Sequence, residues 1–320
     1  MGGRDEVKKR AIAAMLAGFF TLAGDHVFAK EGADQYPNGA EGWLAGALPP
    51  PGTYFLNYLG YYGGKLKDGN GDNASIGGSP AKADAWFDAL RLVKVTDLTL
   101  FGASWGMQAI VPLVYQSMNF PQMGGRRSAT GVGDITIDPI VLGWHGANWH
   151  VTTGLDIYVP TGQYDQNDPR ASIGTNYWSV EPVAAFTWLG QGGWEVSAKF
   201  MYNIKGKNKD ASFGGMAGSY RSGQELHIDY AVGKHSGPWI VGLSGYYLKQ
   251  VTDDKFNGAV VPELPGVWGR GRRGEVLAIG PSVSYTNSKG TSFIAQWHHE
   301  AYAKNRFGGD KLWFKVVTAF

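Results

Sequence analysis

From residue 53 onward, apolar and polar residues take turns along the chain in short runs, the period of a β-strand with one wet and one dry face. In 149–160, Val151, Thr153, Leu155, Ile157 and Val159 oppose Thr152, Gly154, Asp156 and Tyr158. In 223–234, Leu226, Ile228, Tyr230 and Val232 oppose Glu225, His227, Asp229 and Ala231, and in 239–250 the apolar stripe is Trp239, Val241, Leu243 and Tyr247. The closing stretch sets Leu312, Phe314, Val316, Thr318 and Phe320 against Trp313, Lys315, Val317 and Ala319. Twelve such segments are predicted, at 53–64, 84–95, 104–116, 132–144, 149–160, 179–189, 194–204, 223–234, 239–250, 275–286, 291–303 and 310–320. Alternation is poorest in 84–95 and 291–303.

The connections carry the stronger signal. Long stretches (65–83, 117–131, 161–178, 205–222, 251–274) are interleaved with short Gly/Asn/Ser turns (145–148, 190–193, 235–238, 287–290), with 96–103 of medium length and only 304–309 breaking the rhythm. A closed antiparallel up-and-down transmembrane β-barrel of about 12 strands has this pattern, with short periplasmic turns and longer extracellular loops. Soluble sandwiches and propellers have no reason to lengthen every second loop. The segments also match the roughly 9–11 tilted residues that cross a bilayer as a strand. Tyr54, Trp105, Trp144, Trp149, Trp188, Trp194 and Trp239 fall near strand ends, where amphipathic rings settle at the membrane interface.

The first 52 residues read differently. A charged stretch from Arg4 to Arg10, an apolar run from Ala11 to Gly24, and Val27-Phe28-Ala29 make a secretory signal peptide over 1–29. That run is too short for a helical span, which needs about 20 apolar residues. Residues 30–52 form an N-terminal periplasmic or plug segment ending in Pro49-Pro-Pro51, which cannot donate to a ladder; residues 53–320 are the barrel. Removing four basic and three acidic residues with the signal leaves 25 Lys+Arg against 24 Asp+Glu, with no basic stripe for nucleic acid. Cysteine is absent, which excludes disulfides and thiolate chemistry. Nothing calls for a cofactor or a metal. The 48 glycines show no collagen period, and with 12 Trp and 16 Tyr they suit tight turns and interfacial girdles.

Gly131-Val-Gly-Asp134-Ile-Thr-Ile-Asp-Pro139 resembles the bacterial family associated with the meta pathway of phenol degradation, regarded as outer-membrane transport-type barrels. Pro49-Pro-Pro-Gly52-Thr-Tyr54 leading into Asn57-Tyr-Leu-Gly-Tyr-Tyr62, Val159-Pro-Thr-Gly162-Gln-Tyr164, Asn176-Tyr-Trp178 with Glu181-Pro182, and Gly280-Pro281 agree with it across nearly the whole mature chain. The resemblance implies a place in the bacterial outer membrane, in contact with its lipid, and passage of aromatic or other hydrophobic solutes. The final strand is similar to the closing strands of outer-membrane barrels, which implies that Phe320 helps the barrel-assembly machinery recognise the chain.

With apolar faces on lipid, the opposite faces put Asp134, Asp138, Asp156, Glu181, Glu195, Lys199, Glu225, His227, Asp229, Gln296, His298, Glu300 and Lys315 in the lumen. They are candidates for a hydrated solute path, or for a packed lumen of ion pairs that stiffens the barrel. Twelve strands lie between the filled interior of about eight and the open channel of about 16–18, which fits modest cargo. Pro139, Pro182 and Pro281 interrupt strand ladders and imply bulges, kinks or a lateral opening.

No catalytic constellation emerges. Gly242-Leu-Ser244-Gly245 lacks the spacing of a nucleophile elbow, and His298 and His299 point to opposite faces and cannot readily share an ion. His227, between Glu225 and Asp229 on one face, is a candidate proton-sensitive gate. Arg126, Arg127, Arg270, Arg272 and Arg273 in the long loops either hold lipopolysaccharide phosphates or keep the loops solvated. The expected function is passive passage of small hydrophobic compounds, which could include aromatic ones. A barrel lipid hydrolase and a structural or adhesive barrel with a filled lumen are the alternatives.

Overall fold

The computed structural model describes residues 35–74 and 79–320. The expected signal peptide and the first residues after it lie outside the described residues. Seventeen strands follow in order: β1 (Gly52–Leu66), β2 (Lys82–Leu100), β3 (Ala103–Phe120), β4 (Gly125–Val132), β5 (Ile135–His145), β6 (Trp149–Val159), β7 (Ser179–Leu189), β8 (Trp194–Lys205), β9 (Asn208–Phe213), β10 (Met216–Arg221), β11 (Glu225–Ser236), β12 (Trp239–Gln250), β13 (Lys255–Phe256), β14 (Ala259–Val260), β15 (Glu275–Thr286), β16 (Ser292–Lys304) and β17 (Phe307–Ala319). Twelve of them close a barrel. Sheet order runs β2-β1-β17-β16-β15-β12-β11-β8-β7-β6-β5-β3, and the β2–β3 pairing completes the ring, with every pairing antiparallel.

The exposed and buried faces are inverted relative to a soluble protein. Leu92, Ile140, Val241, Leu243, Leu277, Ile279 and Phe314 are exposed, while Asp156, Glu181, Glu195, Lys199, Glu225, Asp229 and Lys315 are buried. Lipid on the outside and a polar interior account for both sets. Trp149, Trp188, Trp194 and Trp239 stand exposed beside the short turns, as interfacial rings do. Tyr54 does not join them. It faces inward and donates to the Pro50 carbonyl at 2.8 Å, because its position on β1 shares a face with Leu56 and Tyr58.

Several boundaries differ from the sequence expectation. The connection at 96–103 is mostly strand: β2 and β3 run on to a two-residue turn at Phe101-Gly102, both with positive φ (54° and 74°). The segment expected at 132–144 is split at Gly133-Asp134 into β4 and β5, and β4 pairs only with β3. Pro139 sits in a β-bulge, where the β5 register shifts between Ile137 and Val141. Pro182 and Pro281 stay in register with β6 and β12, while on their other sides the ladders to β8 and β16 skip both prolines. The long loops also carry order of their own. β9, β10, β13 and β14 form a small sheet, and Phe120, Phe213, Tyr220, Phe256 and Trp268 pack into an apolar cluster that caps the loop end.

Candidate functional site

Residues 35–51 run through the barrel interior rather than beside it. Glu41 is the only charged residue in this stretch. Asp229 clasps it, accepting from the Tyr36 hydroxyl (2.6 Å), the Gly39 N–H (2.9 Å) and the Glu41 N–H (3.0 Å). Glu195 accepts from the Leu44 N–H at 2.6 Å, and Thr187 from the Gly46 N–H at 3.0 Å. From the opposite wall, Lys311 donates to the Asn38 carbonyl (3.0 Å) and Lys315 to the Ala40 carbonyl (2.7 Å). Gly39 is required where it lies: its φ is +79°, and a Cβ there would come within 2.6 Å of His298 Nδ1.

Two chambers flank this segment. The outer one, about 410 Å³, reaches from the capping loops to the middle of the barrel. Its wall is largely apolar, with Tyr58, Phe87, Ile110, Tyr158 and Trp313 at its floor. Phe87 and Trp313 meet edge to face at 4.8 Å, and Tyr58 meets Trp313 at 6.4 Å. The inner chamber, about 330 Å³, opens toward the short turns between Leu48, Val93, Ile294 and Thr318. Glu41, Tyr58, Arg91, Gln108, Asp156 and Lys199 border both. Arg91 organises this partition. Its Nη1 meets the Glu41 carboxylate at 2.5 Å and the Tyr58 hydroxyl at 2.9 Å, and its Nε donates to Gln108 at 2.7 Å. Gln108 in turn donates to Asp156 at 3.2 Å. Burial pushes the Glu41 carboxyl upward, but Arg91, then Lys199 and Lys315, outweigh it and hold the group below the usual carboxylate range.

Of the inward residues expected from sequence, Asp134, Asp156, Lys199 and Glu300 border the outer chamber, and Asp138, Asp156, Lys199 and Lys315 the inner one. The others are tied up in the wall. Glu181 accepts from Tyr158 and Asn203, each at 2.9 Å. Glu225 is enclosed by Lys205, Arg306 and His227. His227 Nδ1 meets Asn38 Oδ1 at 2.6 Å, and Asp229 is engaged by the interior segment. Glu300 accepts from Tyr62, Tyr246 and the Gly309 N–H. Asp134 lies at the β4–β5 break and binds both ends of the neighbouring loop, accepting from the Gly162 and Thr175 N–H groups, each at 3.0 Å.

His298 contacts Ser244 Oγ at 2.8 Å, and Gln296 donates to the same hydroxyl at 3.0 Å. The second ring nitrogen of His298 has no hydrogen-bond partner among the described residues, so no carboxylate orients the pair as a nucleophile–base couple requires. His299 is exposed on the other face, 3.0 Å from Asp310. No group of three or more metal-ligating side chains occurs among the described residues. Three of the loop arginines are engaged within the loops, Arg127 with Asp168 at 2.6 Å, Arg273 with Asp253 at 2.7 Å, and Arg272 stacked on Trp268 at 4.9 Å, and Arg126 lies 3.6 Å from Asp84 of β2.

Sequence reasoning missed the aromatic floor and Glu41. The signals were present: Trp313 falls on the inward face of the last strand, and Glu41 is the lone charge in an otherwise neutral stretch.

Three comparisons bear on this architecture. The family model described as "Putative MetA-pathway of phenol degradation" matches residues 63–316. A COG4313 outer membrane channel from Pseudomonas putida F1 superimposes with a TM-score of 0.71 at 17% identity, covering 90% of this chain and 100% of that one, a likeness of fold. The translocator domain of the autotransporter NalP from Neisseria meningitidis (TM-score 0.48, 11% identity, 86% and 91% coverage) and the Pseudomonas putida toluene transporter TodX (0.41, 9%, 91% and 97%) are more distant, and neither likeness bears on function. No curated protein matches the sequence.

Proposed function

Because the chain belongs to the family described as the putative MetA-pathway of phenol degradation and is a bacterial outer-membrane β-barrel, we propose that it is a channel for small, mainly apolar solutes, aromatic ones among them. The observation that carries this reading is the pair of chambers in series along the barrel, separated only by side chains and the interior segment. Each is of the size that encloses one small molecule, about 300–1,000 Å³. A lumen built only for stiffness would be filled by its ion pairs. Here the ion pairs of Glu225 and the hydrogen bonds of Glu181 sit in the wall, and aromatic and aliphatic side chains border open space.

Passage is passive in this reading. A solute enters from the loop side, rests on the Phe87–Trp313 floor, and crosses the Arg91 partition when residues 35–51 give way. Asp134, Asp156, Lys199 and Glu300 are among the inward charged residues it would meet in the outer chamber, and Asp138, Asp156, Lys199 and Lys315 among those in the inner. Glu181, Glu225, His227, Asp229 and His298 act through the wall and the interior segment.

Uptake into cells lacking the gene and into complemented cells tests this, with toluene, benzyl alcohol, hexanol and glucose each supplied at low concentration. Complementation is expected to speed entry of the apolar compounds and leave glucose unchanged. Equal uptake of the whole panel in both strains would refute the channel.

A further inference from the structure

We infer that the Arg91 site is a carboxylate receptor: Glu41 occupies it at rest, and a small aromatic monocarboxylate takes the site over, displacing residues 35–51 and opening the path between the chambers. This rests on the channel reading above and names the solute class that operates it.

The interior segment behaves toward the wall as a bound anion would. Its single carboxylate lies on Arg91 Nη1 at 2.5 Å, with the Tyr58 hydroxyl 3.4 Å away. Its carbonyls at Asn38 and Ala40 take the ammonium groups of Lys311 and Lys315. Lys199 adds its charge from the third side, over the Tyr36 ring at 4.8 Å. The wall therefore gathers Arg91, Lys199, Lys311 and Lys315 around the segment, beside its own Asp156 and Asp229, and the carboxylate seated directly on Arg91 is carried by a stretch with no other charge.

Desolvation decides which solutes can exchange with it. Withdrawing Glu41 alone would leave the Arg91 guanidinium, only 18% exposed, without its direct ion-pair partner, with Asp156 reached only through Gln108, and a buried charge without a direct partner is far costlier than a paired one. A neutral aromatic cannot repay that loss and so crosses only during the segment's own unaided openings. A monocarboxylate can repay it, because the exchange preserves the charge of the site and offers Arg91 and Tyr58 the same acceptor. The ring of such an acid has a place ready: Tyr58 belongs to both the partition and the aromatic floor, next to Trp313 and Phe87. Trp313 is fully buried and its indole N–H has no acceptor among the described residues, so a solute oxygen at the floor would satisfy it. Gly60 keeps this floor open, since a side chain there would collide with the Phe87 ring.

The test uses the purified full-length barrel in planar bilayers, with benzoate, its neutral isostere benzamide, and acetate as probes. Benzoate is expected to raise open probability about tenfold at pH 7, while benzamide and acetate leave it unchanged. Glu41→Gln removes the resident charge without altering the barrel wall. It should be open without benzoate, insensitive to it, and bind it about tenfold more tightly by calorimetry. Equal effects of benzamide and benzoate, or a Glu41→Gln channel as closed as the parent, would overturn the receptor. Entry of benzyl alcohol into complemented cells separates the two readings. If it persists while benzoate has no special effect, the channel stands and the carboxylate receptor falls; if neither compound passes, both fall.

Discussion

The Asp229 carboxylate accepts three hydrogen bonds from one stretch of chain, two of them from backbone N–H groups that have no other use inside the lumen. A hydrogen bond to a charged acceptor is worth roughly 1.5–3 kcal/mol, so this single side chain contributes much of the hold on residues 35–51. Asp229 also lies between the ladders of β8 and β12, and its removal leaves the backbone pairing of β11 intact. Asp229→Ala should therefore loosen the interior segment by at least the value of one such bond while changing barrel unfolding little. Planar-bilayer recording would report it as more frequent opening, and heat-modified gel mobility as an unchanged barrel. A variant that stays as closed as the parent would show that Asp229 does not hold the segment. From sequence, Asp229 and His227 pair naturally because they share a face two residues apart. The structure gives each a partner from the interior segment instead. Such long-range contacts, nearly two hundred residues apart in the chain, leave no periodic trace for a sequence to display.

Strand periodicity reports the contrast between two faces, so it fades where the faces become alike. Segment 84–95 illustrates this: its inward residues Ala85, Phe87, Ala89 and Val93 line the chambers or pack beside them, while Trp86 and Leu92 face lipid. Arg91 is the one charge among the inward residues, while Asp84, Asp88 and Lys94 fall on the outward parity with Trp86 and Leu92, so the two faces are not distinguished by polarity and the alternation that made 223–234 easy to read fades. Loop-end elements were hidden for another reason. β9, β10, β13 and β14 are two to six residues long and stabilised by the Phe213–Trp268 cluster, not by a stripe of their own. Loop 160–178 is held likewise, by Asp134 at its ends and Asp168 at its centre. Burial alone would raise the Asp168 carboxyl, but hydrogen bonds from Arg170 and Arg127 outweigh it and keep it below the ordinary carboxylate range. A depressed folded-state value means this support is complete above the unfolded value, about 3.9, and is lost as pH falls through the folded one. Hydrogen exchange, corrected for its intrinsic pH dependence, should find residues 160–178 equally protected from pH 8 to about 5 and losing protection only below about 4. Loss of protection near pH 6 would assign the loop's stability to some other group.

At the scale of the whole molecule, the barrel closes by pairing its first strand with its last, and Phe320 sits just past that seam. The alternation of long and short connections made this closure legible before any coordinates, because it depends on chain direction across a membrane and not on local packing. Phe320 itself contributes little to the closed state. Its ring is 82% exposed, its N–H donates to the Thr53 carbonyl at 3.0 Å, and it lies 6.5 Å from the Phe55 ring. Against the full-length β1–β17 ladder from Tyr54 to Phe307, one terminal hydrogen bond of about 1 kcal/mol is a minor term. Recognition by the assembly machinery, the expectation that the resemblance of the last strand implies, would give this exposed ring a role that the closed barrel does not. Deleting Phe320 should therefore leave refolding into detergent micelles essentially unchanged, in rate and in thermal midpoint, while slowing insertion in cells. Pulse-labelling followed by heat-modified mobility separates the two, since unfolded and folded barrels migrate differently. Equal slowing in micelles and in cells would mean that the residue stabilises the seam directly, and equal speed in both would leave Phe320 with no part in assembly.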